Sequence, residues 1–190
     1  TGHALRATEA FWTQWCGNGT YRGPDEEAVR RSALTLKALT YAPTGGIIAA
    51  PTTSLPEHLG GNRNWDYRYC WLRDATFTLL SLVQAGFRDE ALAWRSWLQR
   101  SIAGSPEQMR IMYGISGERE LPERIVPGLP GYRGSYPVRI GNGAAEQFQL
   151  DAYGEVIDVL FRGREAGLIS REPTWNLQKS LAHHVAKVWD

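Results

Sequence analysis

The sequence has few cysteines and no excess of either charge. Cys16 and Cys70 are the only cysteines among 190 residues, too few for a metal-binding cysteine cluster or a disulfide framework, and two reduced, buried thiols are expected. Lysine and arginine number 21 against 20 acidic residues, a net charge of +1, so neither nucleic acid nor a membrane surface is indicated as a partner. No apolar run reaches the about 18 residues of a membrane-spanning helix. The length suits one domain with a sizeable core.

Several sequence signatures of catalysis are also missing. There is no P-loop, no Rossmann glycine fingerprint and no Gly-x-Ser-x-Gly nucleophile elbow. The pair His183 and His184 has no further ligand at helical spacing, so no metal and no other cofactor is predicted.

Aromatic residues, in contrast, are concentrated between residues 60 and 74. This stretch contains Trp65, Tyr67, Tyr69 and Trp71, and it ends in Arg73 and Asp74. Sugars bind to such mixtures because their C–H faces stack on rings while their hydroxyls need carboxylate and guanidinium partners. The stretch therefore predicts a sugar-binding surface. The alternative is an aromatic core loop with a structural arginine and a capping aspartate.

Helical periodicity dominates the rest of the chain and predicts an all-α protein of about six helices with hardly any strand. The predicted helices cover residues 4–15, 26–41, 75–85, 89–103, 143–162 and 172–190, and a short strand is expected at 47–50. Asp25, Asp74 and Asp89 are predicted as N-caps, and Gly86 as the residue that ends the third helix. The third and fourth helices then form an antiparallel hairpin.

Residues 105–142 form a long segment that is rich in glycine and proline. Loops of this length are usually functional or disordered, and Tyr113, Tyr132 and Tyr136 favour an ordered loop over a site. Glu123 and Tyr136 are candidate substrate-contacting residues. The loop acids Glu118 and Glu120 are interpreted as solvated. A further polar set is interpreted as helix surface or loop anchors: Gln147, Gln149 and Asp151.

These motifs together resemble one enzyme family over essentially the whole chain. The segments that carry the resemblance are residues 50–57, 63–75, 121–123, 131–135, 137–142 and 149–155. They are similar to glycoside hydrolase family 15, the glucoamylase family, in its bacterial and archaeal branch. The segment from Trp65 to Asp74 is the most specific of them.

The resemblance implies an (α/α)6 toroid of helical hairpins, of which this chain forms about the first half. It implies exo-acting hydrolysis of terminal α-glucosidic bonds with inversion, of the glucoamylase type, on oligosaccharides or disaccharides of α-linked glucose. A close alternative is an α,α-trehalase. By matching positions, Arg73 and Asp74 bind the hydroxyls of the terminal glucose, and Tyr67 and Trp71 form the wall of that subsite.

The chain departs from the family pattern in what it lacks. The acid and base glutamates are expected C-terminal to Asp190, so no catalytic residue is predicted within residues 1–190, and the usual upstream β-sandwich domain is absent. We therefore expect a fragment without turnover, with an exposed apolar edge and the rest of the parent chain as its partner. Two alternatives from other classes are a non-catalytic carbohydrate-binding fragment and a structural helical module.

Overall fold

The computed structural model describes residues 2–102, 106–168 and 171–189, and this part of the chain is mainly helical. Its α-helices are α1 (Gly2–Gly17), α2 (Glu26–Ala38), α3 (Leu72–Gln84), α4 (Asp89–Ser101), α5 (Leu150–Glu165) and α6 (Arg171–Val188). Its strands form three antiparallel pairs of two residues each: β1 (Thr40–Tyr41) with β2 (Gly46–Ile47), β3 (Cys70–Trp71) with β4 (Met112–Tyr113), and β5 (Arg124–Ile125) with β6 (Arg139–Ile140). The predicted all-α class is confirmed.

Two helix boundaries differ from the prediction for local reasons. Helix α2 ends at Ala38 and not at residue 41, because Thr40 pairs with Ile47 in the β1–β2 hairpin. Helix α5 begins at Leu150 and not at residue 143. Residues Gly143–Glu146 form a separate 3-10 turn, and the following Gln147 is extended, with ψ 148°.

Of the three predicted aspartate N-caps, Asp25 is confirmed in position, whereas Asp74 and Asp89 do not occupy N-cap positions. Asp25 does occupy the N-cap position of α2, but it is in the left-handed conformation with φ 59° and its side chain makes no capping hydrogen bond. Helix α3 begins at Leu72, which places Asp74 inside the first turn. Asp89 is likewise the first residue of α4. All three charges still lie near positive helix ends, where they are favourable.

The end of α3 at Gly86 is confirmed. Gly86 has φ 97°, its N–H donates to Val83 (3.0 Å), and the N–H of Phe87 donates to Leu82 (2.8 Å). This pair of bonds is a Schellman motif. The predicted end of α4 at residue 103 lies outside the described residues, of which Ser101 is the last in the helix.

Helices α3 and α5 pack side by side. Arg73 donates to Asp151 (3.3 Å), and one turn later Thr76 Oγ1 lies 3.4 Å from Glu155 Oε2, while its hydroxyl donates to the Arg73 carbonyl (2.7 Å). From the first contact to the second, both partners advance along their helices, so the helices are parallel and their N-termini lie at the same end. This parallel arrangement of two helices, with α4 following α3 in the chain, is the order expected for part of an (α/α) toroid.

The main core lies between α3, α4, α5 and the β3–β4 pair. Its largest fully buried members are Trp94, Trp97, Tyr113 and Tyr153. Cys70 lies in this core, and burial raises the pKa of its thiol to about 12. Both cysteines are free, but Cys16 is only partly buried, contrary to expectation.

Candidate functional site

The aromatic stretch forms one arm of an irregular hairpin. Its backbone accepts hydrogen bonds from the preceding loop, with Ala50 N–H donating to Tyr67 (3.0 Å) and Ser54 N–H donating to Trp65 (2.9 Å). An extended chain points successive side chains to opposite faces. As a result, Asn64, Asp66 and Cys70 are fully buried on one face, whereas Trp65, Tyr67 and Trp71 line a cleft on the other.

Asp66 holds this hairpin in place from its buried face. Its carboxylate accepts two hydrogen bonds from the Arg68 guanidinium, both 2.9 Å, and one from Gly141 N–H at 3.3 Å. Burial on its own would raise the pKa of Asp66, but the hydrogen bonds and charge of Arg68 outweigh burial and lower it. The ionised carboxylate therefore fixes the aromatic arm against the loop that carries β6.

The cleft above this arm has a volume of about 550 Å³, within the range typical of ligand sites. It brings together five residues predicted from the sequence: Tyr67, Trp71, Arg73, Asp74 and Glu123. Tyr136 is not among the lining residues, and it is 52% exposed. The loop carries Tyr136 to the surface outside the cleft, and its role as a substrate contact stays a prediction.

Arg73 and Asp74 face the cleft from the first turn of α3. Their side chains are 43% and 44% exposed, and Arg73 Nη2 lies 3.7 Å from Asp74 Oδ2. Arg73 Nη1 is directed to Asp151 Oδ2 on α5, at 3.3 Å. The guanidinium thus lies between two carboxylates, one in the cleft and one beside it.

Glu123 reaches the cleft from the long loop. Its Oε1 forms an ion pair with Arg139 Nε at 3.0 Å, and its Oε2 accepts from Gly143 N–H at 3.2 Å. Arg139 also lies over the Trp65 ring, 4.7 Å from the centroid, a geometry that favours a cation–π contact. One arginine therefore holds an acidic and an aromatic wall residue in place.

Tyr67 adds a hydroxyl group to the cleft. Burial and the charge of Glu57 raise the pKa of this phenol. It therefore remains protonated at neutral pH, where it can both donate and accept a hydrogen bond.

Three polar lining residues were missed or misinterpreted from the sequence: Asn142, Gln147 and Gln149. The two glutamines precede α5 in extended conformation, and Gln149 Nε2 donates to Gln147 Oε1 at 2.8 Å. Between them, Phe148 turns the other way and packs near Tyr153 and His184. The alternation Gln-Phe-Gln was the available signal, since it fits an extended segment better than a helix.

The exposure of the cleft residues argues against the alternative that the aromatic stretch is a buried core loop. A purely structural loop predicts that Trp71, Arg73 and Asp74 are fully buried with no cavity beside them. Instead, both charged residues are more than two-fifths exposed and all three line the cleft.

Other features of the described chain do not form a competing site with the motif residues. A second cavity of about 400 Å³ lies between α1 and α2, and residues 60–74 do not contribute to it. Within the described ranges, no three His, Cys, Asp or Glu side chains are grouped to hold a metal ion. No helix in the same ranges is long and apolar enough to cross a bilayer.

The fold and the cleft together define the class of protein. It is mainly helical, and its cleft, at the N-terminal ends of the parallel helices α3 and α5, is lined by aromatic rings and carboxylates. A family model described as "Glycosyl hydrolases family 15" matches residues 23–190. The chain therefore belongs to glycosyl hydrolase family 15, and the expected family is confirmed.

Curated relatives cover nearly the whole chain. It is 38% identical over 185 residues to a trehalase of Thermoplasma acidophilum, and the matched region covers 97% of this chain and 32% of the relative. It is 41% identical over 186 residues to a trehalase of Mycolicibacterium smegmatis, a match that covers 96% of this chain and 28% of the relative. It is also 41% identical over 187 residues to a trehalase of Mycobacterium tuberculosis, and there the match covers 96% of this chain and 27% of the relative. The chain thus spans less than a third of the length of these relatives. No solved structure matches it.

Proposed function

We propose that this chain supplies the terminal-glucose subsite of an α,α-trehalase. The observation that carries the proposal is the cleft in which two aromatic rings, Tyr67 and Trp71, lie beside the Arg73–Asp74 couple. The expected glucoamylase-type specificity has less support than the trehalase alternative, because the relatives reported above are named trehalases. It remains the second candidate.

The aromatic and the charged groups of the cleft contact different parts of a glucose unit. The flat faces of Trp71 and Tyr67 stack against the C–H face of the sugar. Asp74 accepts hydrogen bonds from ring hydroxyls, and Arg73 donates to hydroxyl oxygens in a fixed planar geometry. A terminal ring bound in this way presents its anomeric carbon toward the remainder of the cleft.

The cleft also offers polar groups to a second ring. Glu123, Asn142, Gln147 and Gln149 line it together with the aromatic residues. In α,α-trehalose the second unit is also glucose, and its hydroxyls need such acceptors and amide donors. The presence of both kinds of group in one cleft supports a disaccharide substrate.

The catalytic acid and base are proposed to lie outside this chain, on later residues of the parent enzyme. Hydrolysis with inversion needs two carboxyl groups about 6.5–9.5 Å apart, so that a water fits between sugar and base. Glu123 is not assigned to either role, because its two oxygens already pair with Arg139 and Gly143. We propose accordingly that residues 1–190 are the first half of the (α/α)6 toroid and have no turnover alone.

Calorimetry on the 190-residue chain tests this proposal. Trehalose, maltose and cellobiose are titrated at equal concentrations, and released glucose is measured in parallel. We expect trehalose to bind most tightly, cellobiose not to bind, and no glucose to appear. Tighter binding of maltose would favour the glucoamylase type. Equal heats for all three sugars would contradict selectivity for trehalose, and no heat from any of them would contradict a glucose subsite. Release of glucose would place the catalytic residues within this chain.

A further inference from the structure

We infer that Asp151 is a positioning residue that holds the Arg73 guanidinium away from Asp74. The inference rests on the proposed function, because it concerns how the sugar-binding couple is kept open. Asp151 lies in the first turn of α5, and 78 positions separate it from Arg73 in the sequence.

The geometry separates Asp151 from the groups that line the cleft. Its Oδ2 accepts from Arg73 Nη1 at 3.3 Å, while Arg73 Nη2 stands 3.7 Å from Asp74 Oδ2. Arg73 and Asp74 line the cleft, and Asp151 does not. Asp151 therefore acts on a ligand only through Arg73.

The two carboxylates compete for one guanidinium. A planar guanidinium readily forms two parallel hydrogen bonds with a single carboxylate. If Arg73 closed on Asp74 in this way, it would occupy the oxygens that the proposal assigns to sugar hydroxyls. Because Nη1 of Arg73 donates to Asp151, the guanidinium does not form two parallel bonds with Asp74. The contact to Asp74 therefore stays long, and the Asp74 carboxylate stays available to a ligand.

The helix frame fixes Asp151 for this role. Helices α3 and α5 are parallel, and Thr76 Oγ1 lies 3.4 Å from Glu155 Oε2 one turn after the Arg73–Asp151 contact. The two helices therefore also touch in the turn that follows this contact. Gln149, the N-cap residue of α5, lines the cleft two residues before Asp151. The same helix end therefore carries a cleft residue and the residue that holds Arg73.

The test compares D151N with a matched control from the same helix. Asp158 forms an ion pair of 2.8 Å with Arg162, it is similarly exposed, and it does not line the cleft. We expect D151N to weaken trehalose binding about tenfold, the equivalent of one hydrogen bond to a charged group. D158N is expected to leave binding unchanged. Equal affinities of D151N and D158N would overturn the inference.

A double-mutant cycle asks whether the effect passes through Arg73. In an R73Q background, D151N is expected to add nothing to the loss that R73Q causes. The same additional loss in both backgrounds would overturn the positioning role, since Asp151 would then act independently of Arg73.

A readout without sugar separates this inference from the proposed function. The nitrogen NMR resonances of the Arg73 guanidinium should shift in D151N and remain in place in D158N, whether or not any ligand binds. Unshifted resonances in D151N would show that the Arg73–Asp151 contact does not hold the guanidinium, and they would overturn the inference. Absence of trehalose binding in the unsubstituted chain, with the shift still present, would count against the proposed function alone.

Discussion

Asp66 illustrates how a charged residue inside a binding motif can serve the fold. It lies between two rings of the cleft, yet it is fully buried and its carboxylate is committed to Arg68 and Gly141. Removing its charge leaves these donors without an ionised acceptor. The effect of such a change should therefore appear as lost stability.

We expect D66N to lower the free energy of unfolding by about 2 kcal/mol, the scale of hydrogen bonds to a charged group. Urea unfolding followed by tryptophan fluorescence measures this loss. D25N is the control, because the Asp25 side chain makes no capping bond. The same loss in both variants would contradict the account.

The pH dependence of this contribution follows from the sign of the shift. The pKa of Asp66 is lower in the folded state than its ordinary value of 3.8. The stabilisation is therefore fully present above about 3.8 and is lost as the pH falls through the folded pKa. In D66N this acid-side loss of stability should be reduced.

At this scale the sequence predicted the aromatic and charged residues of the cleft but not its amide residues. Tyr67, Trp71, Arg73 and Asp74 could be proposed because they are close together in one unusual stretch. Asp151 could not, since its role depends on the packing of α3 against α5, which no local pattern encodes. The position of Tyr136 outside the cleft could not be foreseen, because an aromatic residue in a loop does not reveal which way the loop turns.

Among the secondary-structure elements, a buried ion pair joins three helices. Glu90 of α4 accepts hydrogen bonds from Lys37 of α2 and Trp15 of α1, both 2.7 Å. Burial favours a raised pKa for Glu90, but the bonds from Lys37 and Trp15 outweigh it and lower the pKa. Glu90 is 5% exposed and Lys37 17%, so neither charge is well solvated.

Replacing Glu90 by glutamine is expected to destabilise the chain by about 3 kcal/mol, since it leaves the Lys37 charge buried without a counter-ion. Chemical denaturation measures the change. The control is E26Q, which removes the exposed pair between Glu26 and Arg30 and should have little effect. A midpoint for E90Q as high as that of E26Q would show that the buried pair contributes little.

The helices themselves were largely predictable, whereas their ends were not. The periodicity of α1 and α2 and the glycine that ends α3 are local signals, and the structure contains them as expected. The start of α5 depends on the Asn142 side chain, which accepts from Ala144 N–H and closes a separate turn. Composition alone favoured one continuous helix from residue 143.

On the scale of the whole molecule, an apolar groove of about 390 Å³ lies along α5 and α6. Phe161 and Trp175 line it and are 41% and 49% exposed, with Arg164 stacked near both rings. Exposed apolar residues of this kind agree with the expectation that further helices of a toroid cover this edge. That expectation remains a prediction.

If the edge is normally covered, the isolated chain should associate as its concentration rises. Sedimentation velocity at increasing concentration measures this, and W175E should reduce the association by placing a charge in the groove. Y132E is a control, because Tyr132 is equally exposed and lies outside the groove. A chain that stays monomeric at all concentrations would contradict an uncovered edge.

A comparison of trehalose affinity between D74N and Y136F decides whether this cleft binds a terminal glucose. Asp74 lies in the cleft, and Tyr136 lies outside it. We predict that D74N weakens trehalose binding at least about tenfold, by loss of a charged hydrogen-bond acceptor, while Y136F binds like the unsubstituted chain. Unchanged affinity in D74N, or an equal loss in Y136F, would contradict the assignment of this cleft to a terminal glucose.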